Sequence, residues 1–373
     1  LAEATTTTDT DIRHMRHALA LAQRGLGQVA PNPAVGCVIV NEGRVVGRGW
    51  TQPGGRPHAE TMALKEAGSA ASGGTAYVTL EPCSHHGETP PCAESLIAAG
   101  IKQVVCALGD PDERVNGRGL ATLEGAGVSV TTGVCESSAA AINRGFLLNR
   151  TSARPLVTLK LAISMDGYIA TASGESRWIT GPEARKYGHM LRATHDAILV
   201  GSGTARADDP ELTCRIEGLE HQSPIRIVLD THLSIPIASR LAQTATDHRL
   251  VVFCGPRADT ARQQALTDAG AMVVETETGE SGQPRPATVL ATLAASGVTR
   301  LLIEGGGKVA ATFLRNDLVD EVALFRAPKV IGGDGQAAVS GFGLHALDQA
   351  PAFQHGRSRN LGDDVLETYR RSL

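Results

Sequence analysis

The chain has 373 residues, a formal net charge of −4, and a composition 42% hydrophobic and 20% charged. At roughly 100–200 residues per domain, that length predicts two domains, each able to bury its own core. No apolar run approaches the ~20 residues of a membrane-spanning helix, and no dense Lys/Arg block or set of stacking aromatics marks a nucleic-acid surface.

In chain order, Leu1 to Asp11 is rich in Thr and Asp and has no apolar segment of the kind a secretory signal needs. Residues 1–10 are expected as a disordered tail. Val35 to Val40 reads as a strand, Asn41-Glu42-Gly43 as a turn, and Val45 to Trp50 as the returning strand of a hairpin. His58 to Ala67 is predicted helical, with Met62, Ala63, Leu64 and Ala67 apolar. Thr75–Leu80, Lys102–Leu108 and Val128–Thr131 read as strands. Cys92–Ala99, closed by Gly100, and Leu120–Glu124 read as helices. Strands alternating with helices after an opening hairpin imply a largely parallel sheet.

The polar run Arg150-Thr151-Ser152-Ala153-Arg154-Pro155 is expected as a linker, residues 150–155. It divides a domain at 11–149 from one at 156–373. The second series has strands expected at Leu156–Ile163, Ala197–Gly201, Ile225–Leu229, Leu250–Phe253, Met272–Val274, Arg300–Ile303 and Glu321–Phe325. Helices are expected at Pro182–Arg192, Thr288–Ala295 and Val309–Leu314. Glu275 to Pro286, charged and containing Gly and Pro, reads as a mobile loop. The seven cysteines sit in unlike settings, Cys37 and Cys254 in apolar strands, Cys83 and Cys92 after prolines. That argues against a disulfide framework and for a reducing, cytoplasmic location.

The chemistry concentrates at His58-Ala59-Glu60, Pro82-Cys83 and Pro91-Cys92. One imidazole and two thiolates leave a fourth tetrahedral position open, as in a catalytic rather than a structural zinc site. A water there has its pKa lowered toward ~7, and Glu60 is the candidate catalytic proton carrier. Residues i and i+2 do not share a helix face, so His58 must cap the helix with Glu60 in its first turn. A closed structural site, with His85 or His86 as fourth ligand, is the alternative on the same residues.

The cysteines stand further apart than in the usual Pro-Cys-x-x-Cys zinc-deaminase signature. This long spacing, with Pro31-Asn32-Pro33-Ala34-Val35-Gly36, resembles the bifunctional riboflavin-biosynthesis deaminase–reductase family. The second half is similar to the reductase half of that family in Lys160-Leu161-Ala162-Ile163-Ser164-Met165-Asp166-Gly167, in Gly174-Glu175-Ser176-Arg177-Trp178-Ile179-Thr180-Gly181, in Ala207-Asp208-Asp209-Pro210-Glu211-Leu212-Thr213-Cys214-Arg215 and in Glu304-Gly305-Gly306-Gly307.

The resemblance implies an α/β protein. Its N-terminal part would be a cytidine-deaminase-like α/β/α sandwich, and its C-terminal part a dihydrofolate-reductase-like α/β domain. Zinc and NADPH are the implied cofactors, phosphorylated pyrimidine ribosides the implied substrates, and a homo-oligomer (dimer or tetramer) the implied assembly. Residue by residue, it implies that Asn32 contacts the pyrimidine and His85 the ribose phosphate. Ala162, Trp178, Thr204, Asp208 and Thr231 would line the NADPH site, with Gly306 and Gly307 under its phosphates. Ser176, Arg192, Leu212 and Arg215 would hold the reductase substrate, Glu304 would accept from a ribose hydroxyl, and Lys160 and Asp208 are candidates for proton management there.

Two positions depart from the family pattern. Glu88 stands where the family usually has Lys or Arg, and Asp112 where it usually has Asn. Both put negative charge near an anionic substrate, and Arg114, Arg118 and Lys102 are the candidate cations to offset it.

Overall fold

The computed structural model describes residues 8–85, 90–112, 115–279 and 282–371. The chain divides into two compact units, Leu1–Ala153 and Arg154–Leu373.

Among the described residues the first unit begins with a helix whose cap and first two residues, Thr8 to Thr10, fall at the end of the tail expected at 1–10; residues 1–7 lie outside the described residues. In α1 (Asp9–Ala22) the Thr8 hydroxyl accepts from the Asp11 N–H at 3.1 Å, and Asp11 accepts from the Thr8 N–H at 3.0 Å. This reciprocal cap satisfies two donors that a helix start leaves unpaired. Met15, Ala18, Leu19 and Ala22 are buried beneath it.

The central sheet has five strands, β1 (Gly36–Asn41), β2 (Arg44–Trp50), β3 (Thr75–Val78), β4 (Gln103–Cys106) and β5 (Ser129–Thr132), in the order β2-β1-β3-β4-β5. β1 pairs antiparallel with β2 and β3, whereas β3, β4 and β5 run parallel. Side chains alternate across a strand. Cys37 and Ile39 therefore pack with α2 (Ala59–Ala67), α3 (Cys92–Ala98) and α4 (Arg118–Gly125) on one face. Val38 and Val40 pack with α1 and with Ala139 of α5 (Glu136–Ser152) on the other. The result is an α/β/α sandwich.

Two glycines of β2 set the position of α2. A side chain on Gly47 or Gly49 would lie 2.2 Å from the Ala63 carbonyl or 2.0 Å from that of Ala59. Only glycine lets the helix lie directly on the hairpin. The expected linker is shorter than 150–155, because α5 runs through Arg150–Ser152 and ends at Ala153 in the left-handed conformation.

The second unit is built on a nine-stranded sheet. Its strands are β6 (Leu156–Ile163), β8 (Ala197–Gly201), β9 (Ile225–Leu229), β10 (Leu250–Cys254), β11 (Met272–Glu275), β12 (Arg300–Ile303), β13 (Glu321–Arg326), β15 (Gln354–Leu361) and β16 (Asp364–Arg370). The order is β11-β10-β9-β8-β12-β6-β13-β16-β15. From β11 to β13 all neighbours are parallel, and β16 and β15 close the sheet antiparallel. A short pair, β7 (Tyr168–Ala170) with β14 (Gln336–Ala337), stands apart.

Helices α10 (Pro286–Ala295) and α11 (Gly307–Arg315) cover one face, through Leu290, Leu293 and Phe313. On the other face lie α7 (Ser202–Asp208), α8 (Arg240–Gln243) and α9 (Thr260–Asp268), through Ala205, Leu241 and Leu266. α6 (Pro182–Ala193) covers β13 and β16 through Ala184. The stretch expected as a loop after β11 contains an isolated bridge between Thr278 and Pro284. Among the described residues no helix is long and apolar enough to cross a membrane.

Candidate functional site

His58 caps α2 in extended conformation (φ −70°, ψ 163°), and Glu60 stands in the first turn. This is the arrangement that the two-residue spacing demands. Cys83 follows β3, and Cys92 opens α3. The His58 Nδ1 lies 3.3 Å from Cys92 Sγ and 3.6 Å from Cys83 Sγ. All three donor atoms fall within 4.8 Å of one another. Zn–S bonds of ~2.3 Å and Zn–N bonds of ~2.0 Å give tetrahedral edges of roughly 3.5 Å, so the set fits a zinc ion. His85 does not join the group; His86 lies outside the described residues. The closed four-ligand alternative therefore finds no fourth protein donor among the described residues.

The three groups shift one another's proton affinity. A hydrogen bond with Cys92 first, then one with His58, holds the Cys83 thiol down to about 4. The same contact pushes Cys92 up, and the Cys83 hydrogen bond raises His58. Glu60 is 3% exposed. Burial, then the Cys83 charge, pushes its carboxyl up to about 7.

A cavity of about 130 Å³ opens over these residues. Asn32, His85, Arg56, Asp110, Asp112 and Arg150 contribute polar groups to its wall, and Val35, Leu80 and Phe146 apolar ones. Asn32 is packed against Gly55, where a Cβ would stand 1.8 Å from its amide nitrogen; Gly55 also has φ +86°. His85 Nδ1 is buried with no hydrogen-bond partner among the described residues. Of the offsetting cations expected from sequence, Arg118 and Lys102 do not line the cavity. Arg114 and Glu88 lie outside the described residues.

Glu81 escaped the sequence reading. It is 5% exposed. Its Oε2 accepts from the N–H of Asp110 at 3.3 Å and Gly117 at 3.0 Å, and its Oε1 from Gly119 at 2.9 Å and Leu120 at 3.4 Å. One carboxylate thus ties the backbone beside Cys83 to the start of α4 and to the wall segment carrying Asp110 and Asp112. Its partners lie 29 to 39 residues away in sequence, so no local pattern announces it.

In the second unit the candidates gather at the C-terminal ends of the parallel strands, the usual ligand edge of an open α/β sheet. Lys160 and Ala162 lie on β6, Thr204 and Asp208 on α7 after β8, Thr231 after β9, and Glu304, Gly306 and Gly307 after β12. Arg192 donates to both oxygens of Glu304, each at 2.9 Å, and to the Thr213 carbonyl at 2.9 Å. Lys160 Nζ is 3.8 Å from the same carboxylate. Arg192 is therefore not an open phosphate fork; its planar head is committed to Glu304.

Arg215 is half-exposed and pairs with Glu211 at 3.2 Å. Leu212 is buried at φ +58°. Trp178 is 60% exposed, with the Arg185 guanidinium 4.5 Å from its ring centre, so it is not a core residue. Ser176 is half-buried in the same segment.

The glycine turn is more constrained than a free phosphate cradle. The Gly306 N–H donates to Thr204 Oγ1 at 3.0 Å. A Cβ on Gly307 would meet the Ala337 carbonyl at 2.7 Å. Chain packing alone demands glycine at 307. Sequence reasoning also passed over His189, whose Nδ1 lies 3.2 Å from the Thr213 carbonyl. Burial first, then Arg192 and Arg215, brings its pKa down to about 4.

Residues 8–108 match the family model for the cytidine and deoxycytidylate deaminase zinc-binding region, and residues 155–366 match that for the RibD C-terminal domain. The chain is 37% identical to the riboflavin biosynthesis protein RibD of Aquifex aeolicus, over 97% of this chain and 98% of that one. It is 41% identical to the Escherichia coli protein of the same name, over 95% and 98%. The chain belongs to the RibD family.

Solved RibD-family structures agree over both units. Acinetobacter baumannii RibD superposes with a TM-score of 0.87 at 36% identity, covering 98% of this chain and 99% of that one. A Thermotoga maritima diaminohydroxyphosphoribosylaminopyrimidine deaminase/5-amino-6-(5-phosphoribosylamino)uracil reductase gives 0.85 at 33% identity, covering 97% and 99%.

Proposed function

We infer that the first unit carries the deaminase and the second the reductase of this bifunctional riboflavin-biosynthesis enzyme. The convergence of His58, Cys83 and Cys92 beside buried Glu60 is the observation that carries the reading. The substrates are phosphorylated pyrimidine ribosides, and the cofactors are zinc and NADPH.

In the deaminase step, water replaces the 2-amino group of 2,5-diamino-6-ribosylamino-4(3H)-pyrimidinone 5′-phosphate, and ammonia leaves. His58, Cys83 and Cys92 would hold the zinc, which when bound would supply Lewis acidity and lower the pKa of water there. Glu60 carries the first water proton to the ring nitrogen as the C–O bond forms, then carries the remaining hydroxyl proton to the amino group, which leaves as ammonia when the C–N bond breaks. Asn32, fixed by Gly55, orients the pyrimidine, and His85 faces the ribose phosphate.

In the reductase step the ribosylamine opens and C1′ is reduced, giving the ribityl product. NADPH supplies the hydride. Ala162, Trp178, Thr204, Asp208 and Thr231 would line the cofactor's place, and the Gly306–Gly307 turn at the start of α11 would lie nearest its phosphates. Ser176, Leu212 and Arg215 surround the substrate. The Arg192–Glu304 pair presents a carboxylate to a ribose hydroxyl, with Lys160 beside it for the proton.

The enzyme is read as cytoplasmic, a reading supported by seven cysteines that form no disulfide. It is read as a homo-oligomer, dimer or tetramer, for which the outer strand β15 and the 94% exposed Leu347 offer surface; light scattering in solution tests this. The activities are tested together by metal analysis and a coupled assay of ammonia release and NADPH oxidation. About one zinc per chain and both activities are expected. Ammonia release without bound metal would defeat the reading.

A further inference from the structure

The deaminase cavity has a cation on its wall that the zinc chemistry does not use. Arg150, in the last turn of α5, lines the cavity with Asp110 and Asp112. Its Nε lies 3.6 Å from Asp112 Oδ2, and its side chain is 37% exposed against 10% for Asp112. The guanidinium carbon stands 5.4 Å from the centre of the Phe146 ring. The arginine head is therefore set by a ring and by a carboxylate.

The backbone that carries this carboxylate is itself held in place. Asp112 donates its N–H to Asp110 Oδ1 at 2.9 Å, and its carbonyl accepts from Val115 at 2.8 Å and Asn116 at 3.0 Å. The Glu81 carboxylate fastens both ends of this segment, at Asp110 and at Gly117.

We propose that Arg150 is the specificity-determining residue that meets the 5′-phosphate of the deaminase substrate, with Asp112 orienting it. The inference rests on the deaminase reading above. A guanidinium is planar, permanently charged and matched to phosphate oxygens. The pair is long, at 3.6 Å, and its arginine side is 37% exposed, so a phosphate carrying more charge than one carboxylate competes for the same head. Among the described residues the other cation lining the cavity is Arg56, which precedes His58 by two residues and whose charge acts on the His58 imidazole. It belongs to the metal end. On this account Asp112, which in sequence adds only repulsion toward an anionic substrate, aims the cation that binds it.

The experiment compares ammonia release from the 5′-phosphorylated substrate and from its dephosphorylated riboside. Arg150→Met keeps an aliphatic chain against Phe146 and removes the charge. It is expected to raise KM for the phosphorylated substrate about tenfold or more, with kcat and zinc content near wild type and KM for the riboside unchanged. Arg150→Lys should restore part of the loss. Inorganic phosphate should compete with substrate in the wild type and not in Arg150→Met. Asp112→Asn gives a test of sign: KM for the phosphorylated substrate rises if Asp112 orients Arg150. A fall in that KM, or an equal KM change on both substrates in Arg150→Met, would overturn the proposal. If wild-type chain released no ammonia from either substrate, the deaminase reading itself would fall and this proposal with it.

Discussion

Arg192 and Glu304 form a two-pronged ion pair, with both N–H···O distances at 2.9 Å and side chains 14% and 11% exposed. Burial alone would raise the Glu304 carboxyl, but the charges of Arg192 and Lys160 outweigh it and hold it at about 2. A carboxylate depressed in the folded state stabilises fully above its ordinary value near 4.5 and loses that contribution as pH falls toward 2. Glu304→Gln is expected to cost the second unit about 3–5 kcal/mol at neutral pH, since it leaves a buried guanidinium without its charge partner. The variant's stability should also depend less on pH below 4.5. Denaturant unfolding at pH 7 and pH 4 measures both effects.

His195 gives a second acid sensitivity in a different window. It is 1% exposed. The Leu191 carbonyl can only accept, so Nδ1, 2.6 Å away, carries the proton, and Nε2 accepts from the Thr158 hydroxyl at 2.9 Å. Burial first, and then Arg300, lowers its pKa to about 3. The unfolded chain takes up a proton below about 6.5 and the folded chain does not. The contribution is therefore present above pH 6.5 and is lost between pH 6.5 and 3, by up to about 1.4 kcal/mol per pH unit. Hydrogen exchange of β6 amides should accelerate between pH 7 and pH 5, after correction for intrinsic rates, and His195→Gln should flatten that trend.

Glu81 supports the deaminase wall rather than its chemistry. Glu81→Gln keeps one acceptor oxygen and loses the charge. The loss is expected to destabilise the first unit by ~2–4 kcal/mol, because hydrogen bonds to a charged group contribute about 1.5–3 each. Amide exchange at Gly117, Gly119 and Leu120 should speed up and ammonia release should fall, while NADPH oxidation on the deaminated intermediate stays at its wild-type rate. Unchanged exchange at those amides would refute the assignment.

The strands most legible in the sequence were those with unbroken apolar runs. Ala197–Gly201, Ile225–Leu229 and Arg300–Ile303 occur at their expected boundaries. β15 was invisible because Gln354-His355-Gly356-Arg357-Ser358-Arg359-Asn360 lies exposed at the sheet's edge and carries no period. α1 was lost to composition: Thr8 and Asp11 look like a polar tail until each is seen capping the other. The end of α5 looked like a linker because Arg150-Thr151-Ser152 is polar, although there it completes a helix over the cavity wall. The zinc ligands and Glu60 were legible because residue type and spacing state their chemistry. Glu81, Arg150 and the closure of Arg192 on Glu304 were not, because each is a partnership between distant segments.

The central claim, that two separate sites perform successive reactions, is tested most directly by Glu60→Gln in the coupled assay. Ammonia release from the diaminopyrimidine substrate is expected to fall by at least 100-fold, on the order of a general acid–base contribution, with zinc still bound. NADPH oxidation on the separately supplied deaminated intermediate is expected to continue at the wild-type rate. Loss of both activities in a folded, zinc-loaded variant, or ammonia release at the wild-type rate, would contradict the account.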